Sequence, residues 1–192
     1  MTVGNAARVK TDATYADLLN LPEHLIGEII DGELYTQPRP SPRHAWAASR
    51  IDRKVGGSFD TDSNEPGGWV ILFEPELHLG DRPHTLVPDL AGWRKENLPQ
   101  LPETAWIDVV PDWICEIISP STAAKDRVKK MPLYARLGVQ YLWLVDPDSK
   151  TLEAFRQHEG RWLHVGSWAN DDVARVEPFE AVELNIGGLW SV

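Results

Sequence analysis

Cysteine is nearly absent from this sequence: Cys115 is the single one among 192 residues, which excludes an internal disulfide and fits a reducing compartment. Missing too is any apolar run close to the roughly 18 residues a membrane span requires. The opening MTVGNAARVKTDA has no apolar stretch of the secretory kind, so the chain reads as cytoplasmic. Positive charge is scarce, with 19 basic against 29 acidic residues and a net charge of −10. That balance argues against broad nonspecific binding along nucleic acid, which ordinarily goes with a basic surface.

Several chemical motifs are absent as well. There is no Gly-rich phosphate loop, because GDRP and GG lack the required lysine and spacing. No Gly-x-Ser-x-Gly element exists to support serine hydrolysis. His78 and His84 flank LGDRP, but two histidines in a strand and its loop do not make a zinc site. No internal repeat, low-complexity tract or linker divides the chain. Residues 1–192 therefore read as one domain, with 1–13 as a flexible N-terminus.

What is present is a globular pattern, with 42% hydrophobic residues and a mean hydropathy of −0.33. Nine tryptophans are scattered along it, as core or surface anchors rather than base-stacking platforms. A short helix is predicted over 14–19, with Thr14 as its N-cap and Pro22 beyond its end. GEIIDGELYTQP reads as a hairpin about Asp31-Gly32, with Glu28 on the first arm and Glu33 on the second. A helix follows with Ser41 at the N-cap and Pro42 at N1. Its predicted core stripe is Ala45, Ala48, Ile51 and Val55, and Gly56-Gly57 is its predicted end. After a loop containing DSNEPGG, WVILFEPELHLG gives one or two strands and RPHTLVPDLAGW another, with Pro88 limiting its ladder. A proline-rich irregular stretch leads to 112. The chain closes on a hairpin about Glu159-Gly160 and a last strand with an apolar anchor, FEAVELNIGGLW.

Residues 108–147 are the organising unit. An apolar strand WICEII, a polar turn SPST, a basic helical segment ending at Gly138 and a second apolar strand YLWLV form a crossover between parallel strands. The order of elements points to a mixed α/β sheet. Glu116 is the anomaly. Alternation puts it on the face of Ile114 and Ile118, where a carboxylate needs a hydrogen bond, a cation or a metal; Cys115 beside it reads as a small buried hydrophobe. Asp89 shares a face with Val87 and Ala91 in the run LVPDLAGW. If the two strands are neighbours, Asp89 and Glu116 converge, and either one is protonated or a cation sits between them. Oxygen ligands favour a hard cation, Mg²⁺ above all. The alternative without chemistry makes Asp89 a turn or cap residue and pairs Glu116 with a core arginine.

The helical segment 122–137 carries five basic residues, Lys125, Arg127, Lys129, Lys130 and Arg136, against one acid, Asp126. Lys130 lies four residues after Asp126, the spacing of a helical ion pair; Lys125 and Lys129 fall on other faces and read as solvated. Pro132 cannot sit inside an undisturbed helix, so a kink or restart is predicted near Met131. Such a kink would tip Lys130 toward the strand ends, where ligands bind in open α/β sheets.

The succession EIIDGELY, SPRHAWAASRI, LVPDLAGW and EIISPSTAAKDRVKKMPLYARLGVQYLWLVDP resembles the large bacterial family of putative restriction endonucleases, over most of the chain. The resemblance implies the PD-(D/E)XK nuclease fold: a restriction-endonuclease-like α/β domain with a mixed β-sheet flanked by helices. It further implies that Asp89 and Glu116 bind Mg²⁺ (or Mn²⁺) for phosphodiester hydrolysis. The usual lysine two residues beyond the glutamate is Ile118 in this sequence, and the matching lysine is Lys130. Glu28 matches an acidic position ahead of the turn, holding water or a second ion. His44 matches the pattern too, in chemistry or in a helix-end contact. The partner implied is nucleic acid, DNA above all, met by the basic helix, and a homodimer would suit cleavage of both strands. Two other readings stand: a catalytically inactive nuclease-fold module for binding or regulation, and, well behind, a metal-free hydrolase of sugars using Asp89 and Glu116 as a carboxylate pair.

Overall fold

Left-handed turn residues and alternating apolar positions set the first layer. The computed structural model describes residues 7–60, 67–81 and 84–191. Strands β1 (Ala7–Lys10), β2 (Leu25–Ile30) and β3 (Glu33–Pro38) follow in order, with helix α1 (Tyr15–Leu19) after β1. Asp31 and Gly32 both adopt positive φ, 51° and 76°, as a two-residue hairpin turn requires. At α1, Asp17 reaches back to accept the Thr14 N–H at 2.8 Å. Helix α2 (Pro42–Phe59) starts where the Ser41 hydroxyl accepts the His44 N–H.

Strands β4 (Trp69–Phe73), β5 (Leu77–Leu79), β6 (His84–Leu86), β7 (Leu90–Arg94) and β8 (Trp113–Ile117) come next. The crossover consists of α3 (Ala123–Lys125), a π turn over Asp126–Lys130 and α4 (Met131–Leu137). It delivers the chain to β9 (Tyr141–Asp146), and the chain ends with β10 (Thr151–His158), β11 (Arg161–Ala169), β12 (Val173–Ala174), β13 (Leu184–Asn185) and a 3-10 turn over Ile186–Leu189. One sheet has the order β1-β3-β2-β6-β5 and a second the order β11-β10-β9-β8-β7-β4. The second is mixed, because β8 and β9 run parallel while its other neighbours are antiparallel. A short third sheet pairs β12 with β13.

Alternation along β8 divides the core. Trp113, Cys115 and Ile117 point to one cluster with Ile51, Val55, Phe59 and Phe179. Ile114 and Ile118 point to the other, shared with the first sheet and with Leu133 and Tyr134 of α4. Burial pushes the Cys115 thiol well above its ordinary pKa, which leaves it an inert core residue. Among the described residues, no helix is long and apolar enough to cross a membrane.

The crossover helix is broken as Pro132 requires. The Met131 N–H bonds the Asp126 carbonyl, five residues back, and α4 restarts with the proline, which has no N–H to lose, in its first turn. At the far end Gly138 takes φ 93°, with the Val139 N–H on the Tyr134 carbonyl at 3.0 Å, a Schellman closure.

Some expectations give way. Ala7–Lys10, within the segment read as flexible, pairs with β3. Ala45 is exposed, and His44 and Ala47 take the buried positions. Gly56-Gly57 does not end α2, because Phe59 buries its ring against Phe179 at 4.8 Å and that burial outweighs a glycine cost of about 1 kcal/mol each. RPHTLVPDLAGW splits at Pro88 into β6 and β7, in different sheets. Most of the DSNEPGG loop, and Arg82-Pro83, lie outside the described residues.

Candidate active site

A strand that buries a carboxylate needs a partner from elsewhere, and the π turn supplies it. Glu116 is only 4% exposed. Its Oε1 lies 2.6 Å from Lys130 Nζ and accepts the Tyr134 hydroxyl at 2.6 Å. Lys130 Nζ also lies 2.8 Å from Oε1 of Glu28 on β2, so one ammonium joins two sheets.

Glu28 is 1% exposed and fully engaged. It accepts the Val87 N–H at 2.9 Å and pairs with Lys125 as well as Lys130. Lys125 also reaches Gln37 Oε1 at 2.5 Å. Residues five apart in an α-helix point about 140° away from each other. Wider winding in the π turn narrows that angle and lets Lys125 and Lys130 close on the same carboxylate.

Asp89 sits in the bend just before β7, not within the strand as predicted. Leu90 pairs with Cys115, so the two strands are neighbours and Asp89 falls across from Glu116. Its side chain, however, is held by other groups. Oδ2 accepts the Ile117 N–H at 2.6 Å, and Oδ1 lies 2.5 Å from His44 Nε2.

The charges explain one another. Burial alone would raise the Glu28 carboxyl, but the Lys125 and Lys130 ammonium groups outweigh it and hold it at about 2. At Glu116 burial dominates. With Asp126, Asp89 and Glu28 adding like charge, it outweighs Lys130 and pushes the carboxyl to about 8. Burial disfavours the Lys130 ammonium too, yet Glu116 and Glu28 raise its pKa well above the ordinary lysine range; Glu28, ionised at neutral pH, keeps it charged. Burial likewise raises Asp126 and Tyr134.

Beside this network opens a cleft of about 580 Å³, bordered by Ser119–Thr122 after β8, by Pro147 and Asp148 after β9, and by His44 at the start of α2. It lies off the carboxyl ends of the two parallel strands, the common place for ligands in such sheets. Oxygen donors at Asp89 and Glu116 suit a hard cation, and Mg²⁺ needs only one or two carboxylates besides water and substrate. Raised chiefly by burial, with neighbouring carboxylates adding to it, Glu116 is a group whose ionised form a cation would favour. Among the described residues no group of three or more His, Cys, Asp or Glu side chains could hold a metal ion.

Glu28, Glu116 and Lys130 thus meet directly, and Asp89 is tied in through the Ile117 amide and His44. Two readings of the helix change. Lys125 is buried on Glu28, not solvated. The basic segment is also no free basic face, because each of its cations meets an acid: Arg127 with Glu153, Lys129 with Glu33, Arg136 with Asp31, and the two buried lysines as described. The sequence reading assigns no role in the site to Tyr134 or Gln37. Tyr134 follows Lys130 by one helical turn, a spacing that would have pointed to it; Gln37 has no local signal.

A family model described as Uma2, putative restriction endonuclease, matches residues 13–187. A search of curated proteins finds no match. Among solved structures, a "putative nuclease belonging to DUF820" from Anabaena variabilis is similar, with 23% identity over 93% of this chain and 97% of that chain and a TM-score of 0.73. The likeness is one of fold.

Proposed function

We propose that this chain, which belongs to the Uma2 family of putative restriction endonucleases, hydrolyses phosphodiester bonds in DNA as a metal-dependent endonuclease. The observation that carries the reading is the meeting of Glu28, Glu116 and Lys130, from two sheets and a helix, beside a cleft at the carboxyl ends of β8 and β9. Asp89 and Glu116 would hold Mg²⁺ or Mn²⁺. The cation would supply Lewis acidity to the phosphate and the attacking water.

The chain's own groups have distinct parts. Lys130, kept as an ammonium by Glu28, neutralises charge developing on the phosphate and orients the water; it is no proton acceptor. Tyr134 and Lys130 fix the Glu116 carboxylate through Oε1. His44 orients Asp89 through Oδ1, the kind of support that ligating carboxylates receive from their neighbours. Glu28 positions the two lysines and does not itself face the substrate.

The test is incubation of supercoiled plasmid and circular single-stranded DNA with Mg²⁺ or Mn²⁺, wild type beside Asp89→Ala and Glu116→Ala. Cleavage by wild type and its loss in both folded variants is the expected result; undiminished cleavage by both variants sinks the assignment. A second reading, a nuclease-fold binding module, is favoured by the protein partners already on Asp89 and on Glu116 Oε1. It predicts nucleic-acid binding that is indifferent to EDTA and no cleavage with either metal.

A further inference from the structure

Two features of the charge distribution limit how this protein could hold nucleic acid. The first is the crossover helix, whose two buried lysines are held by Glu28 and Glu116 and whose three exposed cations each face a carboxylate. The second is the net charge of −10. A protein that neutralises six to ten duplex phosphates does so with lysine and arginine, and an acidic balance of this size opposes such a track. What remains beside the site is the cleft and two exposed arginines on its border, Arg39 and Arg43. Arg43 is tied only to exposed Asp148 at 3.4 Å, a pair of the kind that contributes little and exchanges readily.

The cleft wall is unusual in substance. Pro38, Pro40, Pro42, Pro120 and Pro147 line it together with buried Ile118. Five rigid rings give a preformed apolar surface that loses little entropy when covered. Its volume of about 580 Å³ lies in the range that encloses a small organic molecule. Bases in a duplex are stacked and cannot enter such a space; an unpaired base can, and apolar side chains are what cover the faces of extruded bases. The hydroxyls of Ser119 and Ser121, 2.7 Å apart on the same border, add polar partners for a sugar or phosphate.

We propose that the cleft receives one unpaired nucleotide next to the scissile phosphate, with Arg39 and Arg43 on the flanking phosphates. The substrate class is then single-stranded or locally unpaired nucleic acid rather than continuous duplex. The proposal rests on the nuclease reading for its chemistry but is tested separately by binding. Wild-type protein in EDTA is titrated against one fluorescent sequence as single-stranded DNA, single-stranded RNA and blunt duplex DNA.

Binding of either single strand at least tenfold tighter than the duplex is expected, with a tenfold or greater loss for Arg39→Ala/Arg43→Ala and an unchanged thermal midpoint. With about 0.7 in log affinity per log salt for each single-strand phosphate, two contacts predict a slope near −1.4. Equal or tighter duplex binding, an unaffected arginine variant, or a slope steeper than about −5 of the duplex-tracking kind overturns the proposal. If nothing is cleaved with Mg²⁺ or Mn²⁺ while the single-strand preference holds, the nuclease reading fails and the cleft assignment stands.

Discussion

Lys130 and Glu116 meet at 2.6 Å although one stands on the crossover helix and the other on the strand before it. Removing the ammonium leaves Glu28 and Glu116 buried without it. Lys130→Met is expected to cost about 3–5 kcal/mol, as for other broken buried pairs, and to abolish cleavage. Adding Glu116→Gln should recover part of that stability. Urea unfolding checks both, and a Lys130→Met protein as stable as wild type contradicts the account.

The two glutamates give opposite pH dependences. Glu116, raised from its ordinary value to about 8, carries a proton in the folded state that the unfolded chain has lost. Its contribution is full below about 4.5 and declines as pH rises toward 8, by up to about 1.4 kcal/mol per unit. Glu28, depressed to about 2, contributes above about 4.5, and that contribution is lost as pH falls toward 2. Urea midpoints from pH 5 to 8 should therefore fall for wild type and flatten for Glu116→Gln; parallel curves would contradict the assignment.

His44 supports Asp89 from α2. His44→Ala should raise the Mn²⁺ concentration needed for half-maximal cleavage, or lower the rate, by about 10–100-fold, the usual effect of losing a group that holds a metal-binding carboxylate. Circular dichroism should stay unchanged. Full activity in the variant would reduce His44 to a helix-end contact.

Gly138, far from the chemistry, serves as a control. Its φ of 93° closes α4, so Gly138→Ala should cost about 1 kcal/mol. Cleavage per folded molecule should not change. A loss of activity at constant stability would mean that the helix end matters to the site directly.

Local signals carried a large part of this structure. The Asp31-Gly32 turn, the Ser41-Pro42 helix start, the Gly138 stop and the period-two pattern of β8 each act over a few residues and can be read in the chain. Pro132 announced a break in the helix, and the break appears as a π turn. The consequence of that turn could not be read, because it depends on Glu28 arriving from another sheet, 97 residues from Lys125 in sequence. For the same reason Lys125 looked solvated when it is buried. Alternation carried through Pro88 puts Asp89 inside a strand; the missing proline N–H stops the ladder and leaves the aspartate in a bend. The neutral basic helix depended on Glu33, Glu153 and Asp31, which only the tertiary fold brings near.

The most direct measurement is Mn²⁺-dependent cleavage of circular single-stranded DNA, which has no ends, by wild type and by Glu116→Gln. Wild type should fragment the circle, EDTA should stop it, and Glu116→Gln should be slower by about a hundredfold or more, as when a centrally placed transition-state contact is lost. An intact circle together with an intact supercoiled plasmid after prolonged incubation with wild type, or equal fragmentation by the variant, would contradict the claim that this site cuts nucleic acid.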